Sequence, residues 1–470
     1  MTVLDAAKST AELTWALGAF GAQQMLRALP AGSGAGNSVR ASVYKTTEAA
    51  QHEFEQIAPL FFAYEVGHLA ERTIADFAAD AVSLRILSPA WALDVGSALA
   101  ESTIDALKSL GSSEARRLYV QQFRNNFSVV NFVNRSDAPT RLGADGSYPL
   151  NQTVASCYEG DYPERDWPAL WKVEGAGEKF AEANLRAKPN LRNLLTSGIG
   201  LQQPEKAQLM LHSGMGLAFA KDVIRTITPW SSDAEFDKAL SRFIELCREN
   251  SRKGYLGAAL QSLGLVTRTW HTQMVKPVSN HLQRIDPLAR EFFWRAVGGA
   301  MYFCPLNWIP GWSPFFSAET EPTDISARRN ARAGVAWPFT IVNLRQPGIM
   351  ANFLKQKSNE IEHKGAFQNG VLSALIMAAE SVPGHYYVAK FAEYQPEDKA
   401  GCDAWNEYIG KDLKSRVESY RETLRNHQRL DEIFRYQNLA ELVRSLENGD
   451  KNSLPAGGAI VQTLRRMEQH

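Results

Sequence analysis

The sequence predicts a mainly α-helical protein made of repeated helical hairpins of about 40 residues, stacked as an open solenoid or closed into a ring. Six glycines recur at steps of 39, 41, 41, 36 and 36 residues, each in a similar stretch, and Ala stands two places after four of them. Small residues on a packed face let helix axes approach closely. An ordinary helical domain with glycine-mediated contacts is the alternative. The repeat glycines are Gly177, Gly216, Gly257, Gly298, Gly334 and Gly370.

Composition argues against several classes of protein. Lys with Arg and Asp with Glu each total 51, so the net charge is zero and we expect no nucleic-acid partner. No apolar run reaches the roughly 18 residues that an integral membrane span needs. Four widely spaced cysteines without a CxxC pair argue against a zinc ribbon or a disulfide framework. They favour a cytoplasmic protein.

The chain before the repeats divides into three segments. Residues 1–38 predict an amphipathic N-terminal helix and a linker, because charged and amide side chains interrupt the apolar core of a signal peptide. Residues 39–122 predict a helical region, with apolar residues near i, i+3 and i+4. Residues 123–170 predict a short strand or extended piece and a long loop rich in Gly, Asp, Pro and Tyr. We expect this irregular or β segment to connect two regions of the protein.

Residues 171–390 contain the glycine-centred repeats, with partner helices between the glycine helices. One partner helix begins after Ser232, whose side chain is a favoured N-cap, and acidic residues fill its first turn. Another begins at Pro287 after Asp286, which places proline in the first helical turn.

Two later segments depart from the repeat pattern. Residues 303–316 combine three prolines with several aromatic side chains, which favours a packed irregular loop or an aromatic lid over an apolar pocket. In the second interpretation, Trp308 and Trp312 contact the substrate. Residues 391–470 are charged and predict helices ending near Gly449. We interpret them as a cap or as an arm that forms a homodimer.

A pair of Glu-x-x-His motifs raises the question of a metal. Glu65 and His68 have the spacing of di-iron carboxylate bundles, because positions i and i+3 share a helix face. Glu360 and His363 repeat that spacing in a strongly polar stretch. We favour a hydrogen-bonded pair at a substrate-binding surface that includes Tyr64, and expect no metal there. A metal-dependent oxidase is the weaker alternative.

Polar side chains recur two to five residues before the repeat glycines. Among them, Glu174, His212 and Arg295 would meet at one rim if the repeats close on a cavity, as acid, base and anion-binding group. Trp337 would then contribute to the substrate-binding wall. The alternative is that each polar residue hydrogen-bonds the helix end of a neighbouring repeat. The sequence has no P-loop, HExxH, nucleophile elbow, dinucleotide loop or aspartate-rich cyclase motif, so we expect no cofactor.

Four short motifs lie in order along the repeats: Glu174–Gly177, Leu211–Ala218, Phe293–Ala300 and Ala333–Trp337. Their order and spacing resemble the paired glycine motifs of an uncharacterised bacterial family found in enediyne antibiotic gene clusters. The resemblance covers about residues 170–345, under half of the chain, and this sequence departs from the pattern at Arg295. The resemblance implies a place in specialised metabolism with a polyketide-derived or polyene substrate nearby, and it carries over no catalytic residue.

The sequence supports three hypotheses about function. The first is a helical-repeat protein with an apolar cavity for a hydrophobic small molecule, acting as a cofactor-independent cyclase or isomerase through acid and base side chains. The second is a scaffold that binds a partner enzyme on a concave face. The third is the metal-dependent oxidase with Glu65 and His68.

Overall fold

The computed structural model describes the chain in several stretches: residues 118, 121–122, 125–126, 129, 148–159, 168–188, 190–303, 314–358, 361–384 and 386–449. These residues are mainly helical and contain no strand, which confirms the predicted all-α class. None of their helices is long and apolar enough to cross a membrane. The chain divides into two compact units: residues 1–123 with 302–316, and residues 124–301 with 317–470. The architecture below is that of the second unit.

The helices follow one another with short connections. The first are α1 (Leu150–Ser156), α2 (Val173–Ala187), α3 (Gly198–Leu201), α4 (Glu205–Ile224), α5 (Asp233–Asn250), α6 (Leu256–Leu260), α7 (Ser262–Trp270), α8 (Val275–Ile285) and α9 (Pro287–Phe303). The others are α10 (Pro314–Thr320), α11 (Ile325–Val342), α12 (Pro347–Lys357), α13 (Lys364–Ser381), α14 (Tyr386–Ala392), α15 (Lys399–Tyr408), α16 (Leu413–Asn426) and α17 (Leu439–Glu447). A π-helical turn, Pro168–Lys172, leads into α2, and 3-10 turns occupy Thr272–Met274 and Leu430–Phe434.

The strand alternative for residues 123–170 is wrong where the structure describes that segment. Its described residues from 148 to 159 contain helix α1, which begins directly after Pro149. Leu150 and Val154 are both buried, one helical turn apart. This i, i+4 pair is too short a pattern to stand out in a segment rich in glycine, aspartate and proline.

The repeat glycines lie where helix backbones meet, which confirms the predicted close packing. A methyl group at Gly177 of α2 would overlap the Leu211 carbonyl of α4, and one at Gly214 of α4 would overlap the Glu174 carbonyl of α2. A methyl group at Gly216 would overlap the Ala259 carbonyl of α6. These contacts tie α4 to helices on two sides.

The same contact recurs farther along the chain. Gly298 of α9 faces the Ala331 carbonyl of α11, and Gly334 of α11 faces the Arg295 carbonyl of α9. Gly370 of α13 faces the Ala333 carbonyl of α11. Because only glycine lacks a Cβ, these positions allow helices to approach at backbone distance. The glycines therefore fix the order α9, α11, α13 in space.

Helices α4 and α13 form the centre of the second unit. Every residue of α4 from Ala207 to Ala220 is buried, and α13 is buried almost continuously from Ala366 to Ala378. A helix that is covered on all faces belongs to a core. The two helices, which carry the second and sixth repeat glycines, contact each other. A linear stack contacts only sequence neighbours, so a repeated-hairpin solenoid is not confirmed.

The predicted helix starts and the charged C-terminal helices are present. Ser232 and Glu235 form a reciprocal capping box at the start of α5. Asp286 accepts backbone N–H bonds from Leu288 at 3.1 Å and Ala289 at 3.0 Å, at the start of α9. In the C-terminal part, α15 packs on α12, α16 on α13 and α17 on α16. Gly449 follows α17 with φ +67°, a helix stop that suits glycine.

Candidate functional site

The predicted site residues separate into two groups. Tyr64, Glu65, His68, Trp308 and Trp312 lie outside the described residues, so their predicted roles stay predictions. The others lie in the second unit: Glu174 on α2, His212 on α4, Arg295 on α9 and Trp337 on α11.

His212 links helix α4 to the chain after α5. Its Nδ1–H donates to the Gln208 carbonyl at 2.6 Å, and its Nε2 accepts the Arg252 backbone N–H at 3.0 Å. The ring stacks on Tyr255, with centroids 5.0 Å apart. Complete burial lowers the pKa of His212 to about 3, so the imidazole is neutral at pH 7. Both ring nitrogens are occupied by backbone, which is the helix-linking alternative.

Glu174 is a partly buried carboxyl group near the start of α2. Its Oε1 accepts a hydrogen bond from the Ser213 hydroxyl of α4 at 2.5 Å. Burial is the largest influence on this group and raises its pKa to about 7, against the opposing effect of the Ser213 hydrogen bond. The side chain therefore takes up and releases a proton near neutral pH, as a general acid or base must.

Arg295 is buried in the core, with 2% of its surface exposed. Its Nε and Nη2 have no hydrogen-bond partner among the described residues, and no described carboxylate forms an ion pair with it. Its guanidinium lies over the Trp337 ring, 5.8 Å from the centroid. Burial lowers the pKa of Arg295 to about 9, so the group remains a cation at pH 7.

Other buried arginines of the described chain have carboxylate partners. Arg268 pairs with Glu321 at 3.0 Å, and Arg429 pairs with Glu432 at 2.5 Å. The same holds for two further pairs: Arg290 with Asp324, and Arg332 with Glu319. Charges removed from water are normally paired in this way. Arg295 departs from that rule.

Two tryptophans connect Arg295 to the region of Glu174. The rings of Trp337 and Trp171 meet edge to face, with centroids 6.2 Å apart. Trp171 stands in the π-helical turn before α2, three residues before Glu174, and positions three apart are neighbours on a helix surface. The Trp337 indole N–H is buried and has no hydrogen-bond partner among the described residues. We name these two tryptophans with Arg295, Glu174 and Ser213 the arginine–tryptophan site.

Sequence reasoning identified part of this site. It named Glu174, Arg295 and Trp337, but it missed Ser213 and Trp171. The signal for Trp171 was its spacing of three from Glu174. Ser213 stands between His212 and a packing glycine, and no sequence rule assigned it a partner on another helix. His212 makes no described hydrogen bond to Glu174 or Arg295.

A second cluster of potential metal ligands surrounds another arginine. Ligand atoms of Glu319, Glu362 and His363 all lie within 4.8 Å of one another. Arg332, however, forms an ion pair with Glu319 and lies 3.5 Å from Glu362. Burial, with Arg332 beside it, lowers the pKa of His363. The guanidinium already neutralises the carboxylates that a metal ion would need. Glu360, the first residue of that Glu-x-x-His motif, lies outside the described residues.

Comparisons of this chain with family models, curated proteins and solved structures find no match.

Proposed function

We propose that this protein binds a hydrophobic small molecule at the arginine–tryptophan site and acts on it without a cofactor, as an isomerase or cyclase. The observation that carries the proposal is the placement of Glu174: a partly buried carboxyl group, hydrogen-bonded to Ser213 and one helical turn from Trp171. Trp171 and Trp337 supply the aromatic surface that an apolar ligand requires.

Glu174 is the acid–base group of the proposed reaction. A carboxyl group with a pKa of about 7 holds its proton at mildly acidic pH and returns it readily, so one side chain serves as both acid and base. His212 is no candidate for this role, because both of its ring nitrogens are engaged by backbone. An isomerisation or cyclisation moves protons within the substrate and needs no electron carrier.

The resemblance to the enediyne-cluster family supports a polyketide-derived or polyene substrate and a place in specialised-metabolite biosynthesis. We further propose a cytoplasmic location. Cys157, Cys247 and Cys402 are free thiols, as in proteins of a reducing compartment.

Proton transfer by Glu174 is tested by deuterium incorporation. The wild-type chain and Glu174→Gln are purified from the native host in D2O buffer, and the bound molecule is extracted and weighed. We expect the wild type to return a molecule with carbon-bound deuterium that survives transfer to H2O. Glu174→Gln should return the same molecule without deuterium, because an amide does not exchange a proton with carbon.

Glu182→Gln is the matched control for that experiment. Glu182 lies on the same helix, in an ion pair with Lys179 at 2.9 Å, and its replacement should leave deuterium incorporation unchanged. Equal incorporation in the wild type and Glu174→Gln would refute the role of Glu174.

A scaffold for a partner enzyme is the second candidate function. Trp230, in the turn between α4 and α5, is 89% exposed, and exposed tryptophan is enriched at binding hot spots. If the protein is a scaffold, Trp230→Ser should abolish co-purification of the partner, whereas Glu174→Gln should not affect it. Homodimerisation through the C-terminal helices remains part of this alternative, and light scattering of the full chain tests it.

A further inference from the structure

The unpaired charge of Arg295 identifies the chemistry of the ligand. Its guanidinium is enclosed in a core where Arg268, Arg290, Arg332 and Arg429 all have carboxylate partners. An enclosed cation without a counter-charge is costly to the folded state. A bound anion would supply the missing partner.

The free polar groups around Arg295 are all donors. They are Nε and Nη2 of the guanidinium and the indole N–H of Trp337. Neither a guanidinium nor an indole N–H accepts a hydrogen bond, so a ligand group must bring acceptors. Glu174 does not supply them, since its described hydrogen bond is with Ser213.

The backbone holds Arg295 in a rigid position. Gly334 of α11 packs against the Arg295 carbonyl, and Gly298, one helical turn later on α9, packs against Ala331. Both helices are enclosed by the core at this level. Donors held by packed helices need little reorganisation on binding, which favours affinity. The Trp337 side chain, by contrast, is only partly buried, so a ligand has a surface on which to lie.

We infer that the ligand of the arginine–tryptophan site carries an anionic oxygen group, a carboxylate or a phosphate, which binds the guanidinium of Arg295 and the indole N–H of Trp337. The apolar body of the ligand lies on Trp337 and Trp171. This inference rests on the proposed function in using the same site, and it adds the substrate class: an acidic, otherwise hydrophobic molecule. A guanidinium pairs with both oxygens of a carboxylate or phosphate.

Binding is measured with three probes that share one chain: decanoate, decyl phosphate and decanol. Isothermal titration at pH 7.5 should show decanoate or decyl phosphate binding about 10- to 100-fold more tightly than decanol, as expected for hydrogen bonds to a charged group. The stronger of the two anions identifies the headgroup. Arg295→Met should remove that advantage and leave decanol binding unchanged, while Trp337→Phe should reduce it partially.

Stability without ligand separates a binding arginine from a structural one. Arg295→Met replaces an unpaired buried cation with an apolar side chain, so its melting temperature should equal or exceed that of the wild type. Arg290→Met is the matched control. It removes a paired buried arginine, leaves Asp324 without its partner, and should lower the melting temperature.

Three outcomes would overturn the inference: equal binding of decanol and both anions, no binding of either anion by a folded wild type, or unchanged anion binding by Arg295→Met. The proposed catalysis fails separately. If Glu174→Gln incorporates deuterium like the wild type while Arg295→Met loses anion binding, the anion site stands and the role of Glu174 does not.

Discussion

Replacing Gly298 by alanine should destabilise the protein, although alanine is the better helix former. Helix α9 passes α11 at this residue. A methyl group at Gly298 would lie 2.7 Å from the carbonyl carbon of Ala331 and 2.8 Å from its Cα. Carbon atoms in contact normally stay about 3.5–4.0 Å apart. The two helices would have to separate by about 1 Å.

The cost follows from what surrounds the contact. The obstructing atoms are backbone, which no side-chain rotation can move, and the reciprocal contact of Gly334 with the Arg295 carbonyl would be strained as well. Overpacking a core costs about 1–3 kcal/mol, and this site should lie at the upper end. Alanine returns about 1 kcal/mol of helix propensity. We therefore expect a net loss of about 2 kcal/mol.

Gly299→Ala is the matched control, one residue along the same helix. A methyl group there has the Gly334 carbonyl oxygen at 3.8 Å as its nearest neighbour, an ordinary contact. This variant should be as stable as the wild type or up to about 1 kcal/mol more stable. Urea unfolding followed by circular dichroism measures both variants. A Gly298→Ala midpoint equal to that of the wild type, or equal losses in the two variants, would refute the packing account.

Three further predictions concern single side chains. Because the folded pKa of Glu174 is raised from 4.5 to about 7, its contribution to stability is present below pH 4.5 and is lost as the pH rises through 7. Glu174→Gln should therefore match the wild type in urea at pH 5 and exceed it by about 2 kcal/mol at pH 8, allowing for partial exposure, and a pH-independent difference would contradict this. The folded pKa of His212 is lowered from 6.5 to about 3, so its contribution is present above pH 6.5 and is lost as the pH falls. His212→Phe should cost about 1–3 kcal/mol at pH 7 by leaving the Arg252 N–H unpaired, and should lack the loss of about 3 kcal/mol that the wild type shows between pH 7 and 4.5; equal acid sensitivity in the two proteins would count against the pairing. Ser232→Ala should cost about 1 kcal/mol in thermal unfolding by removing the capping box of α5, and an unchanged transition would show that the cap is not needed.

The local features of the fold were predictable from sequence. Glycines and alanines in apolar stretches predicted close helix packing, because the absence of a Cβ is a property of the residue itself. The starts of α5 and α9 were predictable from Ser232 and from Asp286 with Pro287, since capping depends on adjacent residues. The pairing of helices was not. Spacing shows which face of a helix packs, and the contact between α4 and α13 depends on how the whole chain closes.

The candidate site was predictable only in its members. Glu174, Arg295 and Trp337 stood out as polar or aromatic residues near repeat glycines. The partners that give them chemistry come from other helices: Ser213 beside Glu174, and Trp171 beside Trp337. The absence of a described carboxylate beside Arg295 is a property of the folded core, and it distinguishes this arginine from the paired arginines elsewhere. His212 met backbone partners instead.

Native mass spectrometry of the full chain tests the central claim most directly, that the arginine–tryptophan site holds an acidic hydrophobic molecule. The intact mass is measured under native and then denaturing conditions for the wild type and Arg295→Met, both purified from the native host. We predict that the wild type carries an excess the size of a small ligand that disappears on denaturation, and that Arg295→Met lacks it. Wild-type protein at its bare mass, or equal excess mass in both proteins, would contradict the claim.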